Sequence, residues 1–156
     1  KIKDMKLAEA LALRADLQKR IAQLKGRIEN ASRIQEGDTP VENPEKMLEE
    51  LDDNLLRLEK LIIRINETNQ KTVLSDGRTL TAKIARRDIL KMKITALNSI
   101  YKHLTEQRDR YTRQEIKYQN VLNAAEVHKS IDRLSMRLRE TDVEIQSANW
   151  TVELCE

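Results

Sequence analysis

The sequence predicts an all-α protein of long amphipathic helices that pack as antiparallel hairpins. Charged residues make up 35% of the 156 positions, whereas the chain contains only 3 Gly, 2 Pro and no Phe. This composition is typical of long helices joined by thin apolar seams, because few aromatic side chains are present to fill a wide core. Apolar residues also recur alternately three and four positions apart along four stretches, which is the coiled-coil repeat. The helices are therefore expected to form a four-helix bundle, or a coiled-coil-like oligomer in which a second subunit completes the core.

The first two helices have clear limits. Gly37, Asp38 and Pro40 are expected to stop the first helix. For the second helix, Asn43 is the expected N-cap and Pro44 the first helical residue. The first seam consists of Leu7, Ala10, Arg14, Leu17, Ile21, Leu24, Ile28 and Ala31. The second is an unbroken 3.5-residue repeat of Leu48, Leu51, Leu55, Leu58, Ile62, Ile65 and Asn69.

A short turn or hairpin is expected near residues 73–80, because Asp76-Gly77 favours a tight turn. Polar and charged residues alternate near 111–121, which indicates an extended stretch there. A capping box is expected at Asn123 and Glu126, where the fourth helix begins. The third seam consists of Leu80, Ile84, Arg87, Leu90, Ile94, Leu97, Tyr101 and Leu104. The fourth consists of Val127, Ile131, Leu134, Leu138, Thr141, Ile145 and Ala148.

Short links between successive helices predict antiparallel neighbours within a single helical domain, residues 5–156. A further interpretation is that this domain consists of two duplicated hairpins, residues 5–70 and 80–150. An offset of 73 positions places Arg14 on Arg87, and an offset of 80 places Asn69 on Asn149. The polar matches carry this interpretation, since any two heptad helices align their leucines. Residues 1–4 precede Met5 and are expected to lie outside the native sequence.

Five residues are predicted to form a polar cluster at one end of the bundle. They are Arg14, Arg87, Asn69, Asn149 and Trp150. A buried arginine needs a partner, because an unpaired buried charge is very costly. The expected partners are Glu67, Glu140, Glu144 and backbone carbonyl groups.

Two interpretations of that cluster remain. A polar seam residue can fix the register of two helices, and this is the favoured reading. The alternative is a site that binds an anion. Trp150 is expected to be a packing plug over the bundle end, with an interface anchor as the second choice.

No residue pattern indicates catalysis, a metal site or a bound cofactor. His103 and His128 lie on different predicted helices, whereas a zinc site needs several converging ligands. Cys155 is penultimate, is expected to be frayed, and has no nearby histidine to activate it. No phosphate-binding loop is present, so no enzyme activity and no small-molecule ligand are predicted.

The charges are strongly segregated along the chain. Residues 36–59 hold nine acidic and two basic residues, a net charge of −7. Residues 83–117 hold ten basic and four acidic residues, a net charge of +6. These patches are expected to neutralise each other, within a chain or between subunits, with Arg108, Arg110 and Arg113 facing the acidic turn. The near balance disfavours a nucleic-acid partner, although Tyr101, Tyr111 and Tyr118 on or near the basic third helix keep that alternative open.

The sequence favours a cytoplasmic location. One cysteine excludes an internal disulfide, and no signal peptide opens the chain. A spanning helix needs about 20 apolar residues, and every apolar run here is interrupted by charge within a few positions. The chain is not expected to act on membranes, because its polar faces carry both signs of charge.

Several stretches resemble the septicolysin-like family of small bacterial helical proteins. They are Met5–Leu11, Leu13–Gln18, Ile65–Asn69, Asp76–Leu80, Ala85–Asp88 and Ala148–Trp150. The resemblance covers nearly the whole chain from Met5. It implies an oligomeric helical fold and supplies no catalytic residue, and the family label adds a membrane-active, cytolysin-like alternative. From the residues themselves, a cytosolic homo-oligomer with a structural or protein-interaction role is the predicted function.

Overall fold

The computed structural model describes residues 5–106 and 118–156, which form four α-helices and no strand. The helices are α1 (Leu7–Ala31), α2 (Pro44–Lys71), α3 (Leu80–Thr105) and α4 (Ala124–Thr151). The all-α prediction is confirmed, and the helix packing is that expected of a helical bundle. Residues 111–117 of the predicted extended stretch lie outside the described residues, and residues 118–121 form no strand.

The chain divides into two compact units. The first unit comprises Lys1–Leu80 and Gln146–Glu156, so it contains α1, α2 and the C-terminal residues. The second unit comprises Thr81–Ile145 and contains most of α3 and α4. The assignment of residues 5–156 to one domain, or to two duplicated hairpins, stays a prediction.

The helix starts follow the capping rules. The Asn43 side chain accepts hydrogen bonds from the backbone N–H groups of Glu45 and Lys46, at 2.9 and 3.4 Å. The Asn123 side chain accepts one from the N–H of Glu126 at 3.2 Å. Both asparagines satisfy donors that the first turn of a helix leaves free. The predicted N-caps of α2 and α4 are therefore confirmed.

In the first unit, α1 buries the predicted seam, whereas α2 buries only part of its predicted seam. The buried α1 residues are Leu7, Ala10, Leu17 and Leu24, all from the predicted seam. The buried α2 residues are Met47, Asn54, Leu61, Ile65 and Thr68. Ile65 of the predicted seam is buried, and Leu51 and Leu58 are half-buried on the same side. Leu48 and Leu55 are exposed, and the residues just before them and before Ile62 and Asn69 are buried instead, so half of the predicted α2 seam is wrong by one residue in register. The reason is that apolar residues cover more of α2 than one heptad face, and sequence alone does not fix which part of that arc turns inward.

The second unit is an antiparallel hairpin. Arg87 near the start of α3 lies 3.9 Å from the carboxylate of Asp142 near the end of α4. Tyr101 near the end of α3 packs on His128 near the start of α4, with ring centroids 5.2 Å apart. Leu90, Ile131, Leu134 and Ile145 are buried, as the predicted seams of both helices require.

An eight-residue link with a three-residue turn at its tip joins α2 to α3. Leu74 N–H donates to Arg78 O at 2.8 Å, and Val73 pairs with Thr79 in an antiparallel bridge. Gly77 adopts a φ of 79°, which favours glycine because it has no Cβ. The predicted hairpin near residues 73–80 is confirmed as this turn with a single bridge.

The same hydrogen bonds recur where the C-terminal residues meet the start of α1. Leu154 N–H donates to Met5 O at 2.8 Å, and Leu7 N–H donates to Val152 O at 2.9 Å. In the α2–α3 turn, the counterpart of the Leu7–Val152 hydrogen bond is the one that Leu80 N–H donates to Thr72 O, also at 2.9 Å. Each donor and acceptor here is offset from its counterpart by the 73 or 80 positions noted in the sequence. The same pair of backbone hydrogen bonds is therefore formed at two places in the first unit, and we call these the two backbone closures.

The core of the first unit predicts a large loss of stability for Ile65→Ala. Ile65 is 1% exposed, so truncation removes buried methyl groups and leaves a cavity, at a cost of about 2–5 kcal/mol. Urea unfolding followed by circular dichroism measures this change. Ile63→Ala is the matched control, because Ile63 is 50% exposed in the isolated chain and should lose far less. Equal losses for the two variants would show that the inward face of α2 is assigned incorrectly.

Candidate interaction surface

The outward face of α2 carries a row of large aliphatic side chains, which we call the α2 stripe. Its members are Leu48, Leu55, Leu56 and Ile63, which are 48%, 44%, 50% and 50% exposed. By contrast, the inward face of the same helix contains the polar residues Asn54 and Thr68. A helix that turns part of a regular leucine repeat outward is typical of one that packs against a further helix.

Acidic side chains flank the α2 stripe. Asp52 and Glu59 lie seven positions apart, so they share one side of the helix. Within residues 5–106 and 118–156, neither has a cation within ion-pair distance, and the same holds for Glu45, Glu49 and Asp53. The surface is thus both apolar and negatively charged.

One acidic residue at the edge of this surface is already neutralised. Arg27 near the end of α1 donates to the Glu42 carboxylate through Nε at 3.2 Å and also through Nη2. This hydrogen bond, reinforced by the opposite charge, holds the pKa of Glu42 below its ordinary value. The same pairing raises the pKa of Arg27. The contact ties the end of α1 to the residue before the α2 cap.

The five residues of the predicted polar cluster fall in both units. Arg14, Asn69, Asn149 and Trp150 belong to the first unit, whereas Arg87 belongs to the second. Asn149 is buried, and Arg14 and Asn69 are half-buried. A shared role for the five, whether in register or in anion binding, stays a prediction. Trp150 is 67% exposed in the chain, so its assignment as a packing plug is wrong.

The expected partners of the seam arginines are also wrong for Arg87. Its guanidinium contacts Asp88 at 3.1 Å and Asp142 at 3.9 Å rather than Glu140 or Glu144. The Glu144 carboxylate instead forms an ion pair with Lys83, with 2.7 Å between Oε2 and Nζ. Lys83 is almost fully buried, and sequence reasoning missed it. The sequence does contain a signal for this burial, because Lys83 lies three residues after Leu80 and so on the same, inward side of α3.

The C-terminal residues are ordered by contacts that sequence reasoning missed. Arg64 Nε donates to the carbonyl of Cys155 at 2.8 Å, and Cys155 N–H donates to Thr68 Oγ1 at 3.0 Å. Leu154, the residue before Cys155, is buried. The expectation that Cys155 is frayed is therefore wrong, because α2 holds its backbone at two points. These contacts support a structural role for the C-terminal residues in the first unit.

The described residues contain no group of three or more His, Cys, Asp or Glu side chains placed to hold a metal ion. Across the same residues, no helix is both long enough and apolar enough to span a membrane. The predicted facing of the acidic segment and Arg108, Arg110 and Arg113 involves arginines outside the described residues.

The Arg27–Glu42 pair predicts a measurable pKa change. In the native protein the pKa of the Glu42 carboxyl should lie below its usual range, and Arg27→Gln should raise it back toward the ordinary value for Glu. Because the pKa is lowered on folding, the stabilisation is present above the unfolded pKa and disappears as pH falls through the folded pKa. Carboxyl chemical shifts in an NMR pH titration test this. An unchanged Glu42 pKa in the variant would contradict the pairing.

Comparison with known proteins places the chain among proteins whose activity is not known. A crystal structure of a functionally unknown conserved protein from Corynebacterium diphtheriae is 40% identical and superposes with a TM-score of 0.90, over 98% of this chain and 100% of that one. No protein of the curated collection matches.

The resemblance to the septicolysin-like family is wrong, because a different family matches residues 14–154. The short stretches that suggested it are mostly helical, and amphipathic helices share such patterns between unrelated families. The match spans most of the sequence and both units. The chain belongs to the family of unknown function DUF6847.

Proposed function

We propose that the protein is a homo-oligomeric helical assembly protein with a structural or protein-interaction role. The observation that carries this proposal is the α2 stripe, where Leu48, Leu55, Leu56 and Ile63 are about half exposed. Burying apolar side chains is favourable by roughly 25 cal/mol per Å² of surface removed from water. A continuous row of such side chains therefore favours a partner that covers it.

A second helix offers the same kind of surface. Met136 and Val143 on α4 are each more than half exposed and lie seven positions apart, so they fall on one side of the helix. Met136 and Val143 are offset by 80 positions from Leu56 and Ile63. The recurrence of outward apolar residues at matched positions supports an interaction role and agrees with descent of the two hairpins from one duplicated hairpin.

We further propose that the protein works in the bacterial cytoplasm. Cys155 is a free cysteine, which fits a reducing compartment. The solved relative comes from a bacterium. Nucleic-acid binding through α3 draws less support, because Tyr101 packs against His128 instead of presenting a free ring for base stacking.

The proposal predicts that the wild-type chain is larger than a monomer at micromolar concentrations and that Leu48→Gln with Leu55→Gln dissociates it. Removing two aliphatic anchors from an interface weakens association by about 2–4 kcal/mol, roughly 30- to 1,000-fold in Kd. Size-exclusion chromatography with light scattering gives the mass. Helical circular dichroism should be retained, because both side chains lie outside the core.

The matched control is Met136→Gln with Val143→Gln, which removes exposed apolar side chains from α4. If the α2 stripe is the principal interface, this variant keeps the wild-type mass. Dissociation of the α4 variant alone would move the interface to α4. A wild-type chain that stays monomeric over the whole concentration range would refute the proposed function.

A further inference from the structure

A groove runs along the α3–α4 hairpin within the second unit. Its volume is about 450 Å³. The apolar lining includes Leu97, Val127 and Leu134, and three cations, Lys93, Arg133 and Arg137, also line it. A concave surface that combines aliphatic side chains with converging cations is suited to an apolar ligand that carries negative charge.

The three cations have no carboxylate partner among the described residues. Arg133 donates a hydrogen bond to the Ser130 hydroxyl at 3.3 Å, and within residues 5–106 and 118–156 it has no ion pair. The one carboxylate that lines the groove, Glu126, lies 3.3 Å from Lys129 and is therefore shared with a different cation. The groove consequently keeps an excess of positive charge.

The α1–α2 hairpin can be compared with this groove position by position. With the offsets of 73 and 80 positions, Lys93 corresponds to Arg20, Arg133 to Asp53 and Arg137 to Arg57. Arg20, Asp53 and Arg57 also line one surface depression, together with Glu50, which corresponds to Ser130. There two acidic residues accompany two arginines, whereas the four matched positions of the second hairpin hold three cations and Ser130. The excess of positive charge is thus particular to the α3–α4 groove and is not a general property of these hairpins.

The chain itself contains a surface with the complementary properties. The α2 segment from Leu48 to Glu59 presents Leu48 and Leu55 beside Asp52 and Glu59, and these carboxylates have no cation partner in the described parts of the chain. An amphipathic helix laid in a groove is a common mode of protein recognition. Electrostatic complementarity then selects the partner and its orientation.

We propose that the α3–α4 groove of one copy receives the acidic, leucine-bearing α2 segment, Leu48 to Glu59, from a second copy of this chain. The inference rests on the proposed function and names the two surfaces that meet. Leu48 and Leu55 cover the apolar lining formed by Leu97, Val127 and Leu134. Asp52 and Glu59 approach Arg133 and Arg137. A free phosphate or a nucleic acid would satisfy the cations but would leave the aliphatic lining without apolar contacts, so the acidic helix is the better match.

Charge reversal on each surface tests the pairing. The groove variant is Arg133→Glu with Arg137→Glu, and the helix variant is Asp52→Arg with Glu59→Arg. All four side chains are exposed, so both variants should retain their helical circular dichroism. Each variant alone should self-associate at least about 10-fold more weakly than wild type, because attraction becomes repulsion at two ion pairs.

Mixing the two variants is the decisive experiment. In a mixed assembly the reversed groove meets the reversed helix, and the two unaltered surfaces meet each other. The mixture should therefore recover the wild-type mass in light scattering, although neither variant does so alone. Recovery should weaken at high salt, since screening reduces attraction between exposed charges. A mixture that stays dissociated would overturn the proposal.

The control is Arg20→Glu with Arg57→Glu in the depression of the first hairpin, where Arg20 corresponds to Lys93 and Arg57 to Arg137. This variant reverses the same number of cations outside the groove and should associate as wild type does. A groove variant that also associates as wild type does would overturn this inference alone, provided that Leu48→Gln with Leu55→Gln still dissociates the assembly. A monomeric wild-type chain would instead overturn the proposed function. If the groove variant loses binding to a single-stranded oligonucleotide while its self-association is unchanged, the groove is a nucleic-acid site and the inference is wrong.

Discussion

The structure depends on the need to build a core almost entirely from aliphatic side chains. With aromatics at 3% of the sequence, a pair of helices can bury only a narrow seam of Leu, Ile and Ala between them. In α2 the apolar arc is wider than that seam, so Leu61 and Ile65 turn inward while Leu48 and Leu55 remain half exposed. The surplus apolar surface is the feature from which the interaction role is inferred.

The ends of the helices hold the narrow seams in register. Two backbone closures of the same design fasten the first unit, one at the α2–α3 turn and one between Met5 and Leu154. Arg64 and Thr68 add side-chain hydrogen bonds to the backbone of Cys155. Because a thin aliphatic seam permits sliding, such directional contacts at the ends are a physical means of fixing which residues face each other.

The differences between the two hairpins are as informative as their similarities. Matched positions keep the caps, Asn43 and Asn123, and keep aliphatic residues in the core. The charges, however, differ: an offset of 80 positions places Asp53 of the first hairpin on Arg133 of the second. One hairpin is thereby left with an acidic, leucine-bearing face and the other with a basic groove. This division of charge provides complementary surfaces within a single polypeptide.

The sequence by itself determined the helices, because caps, turns and the 3.5-residue repeat are local patterns. Asn43, Asn123 and the Asp76-Gly77 turn each lie where local chemistry predicts. The misassigned family resemblance has the same origin, since short amphipathic stretches occur in many helical families.

Only the tertiary structure decided which side of α2 is buried. Four features depend on residues distant in sequence. They are the inward face of α2, the exposure of Trp150, the burial of Lys83 against Glu144 and the hydrogen bonds that α2 makes to Cys155. The physical reason is that apolar residues cover more of α2 than one neighbour can bury. Its orientation is then chosen by the best total packing, which no local pattern encodes.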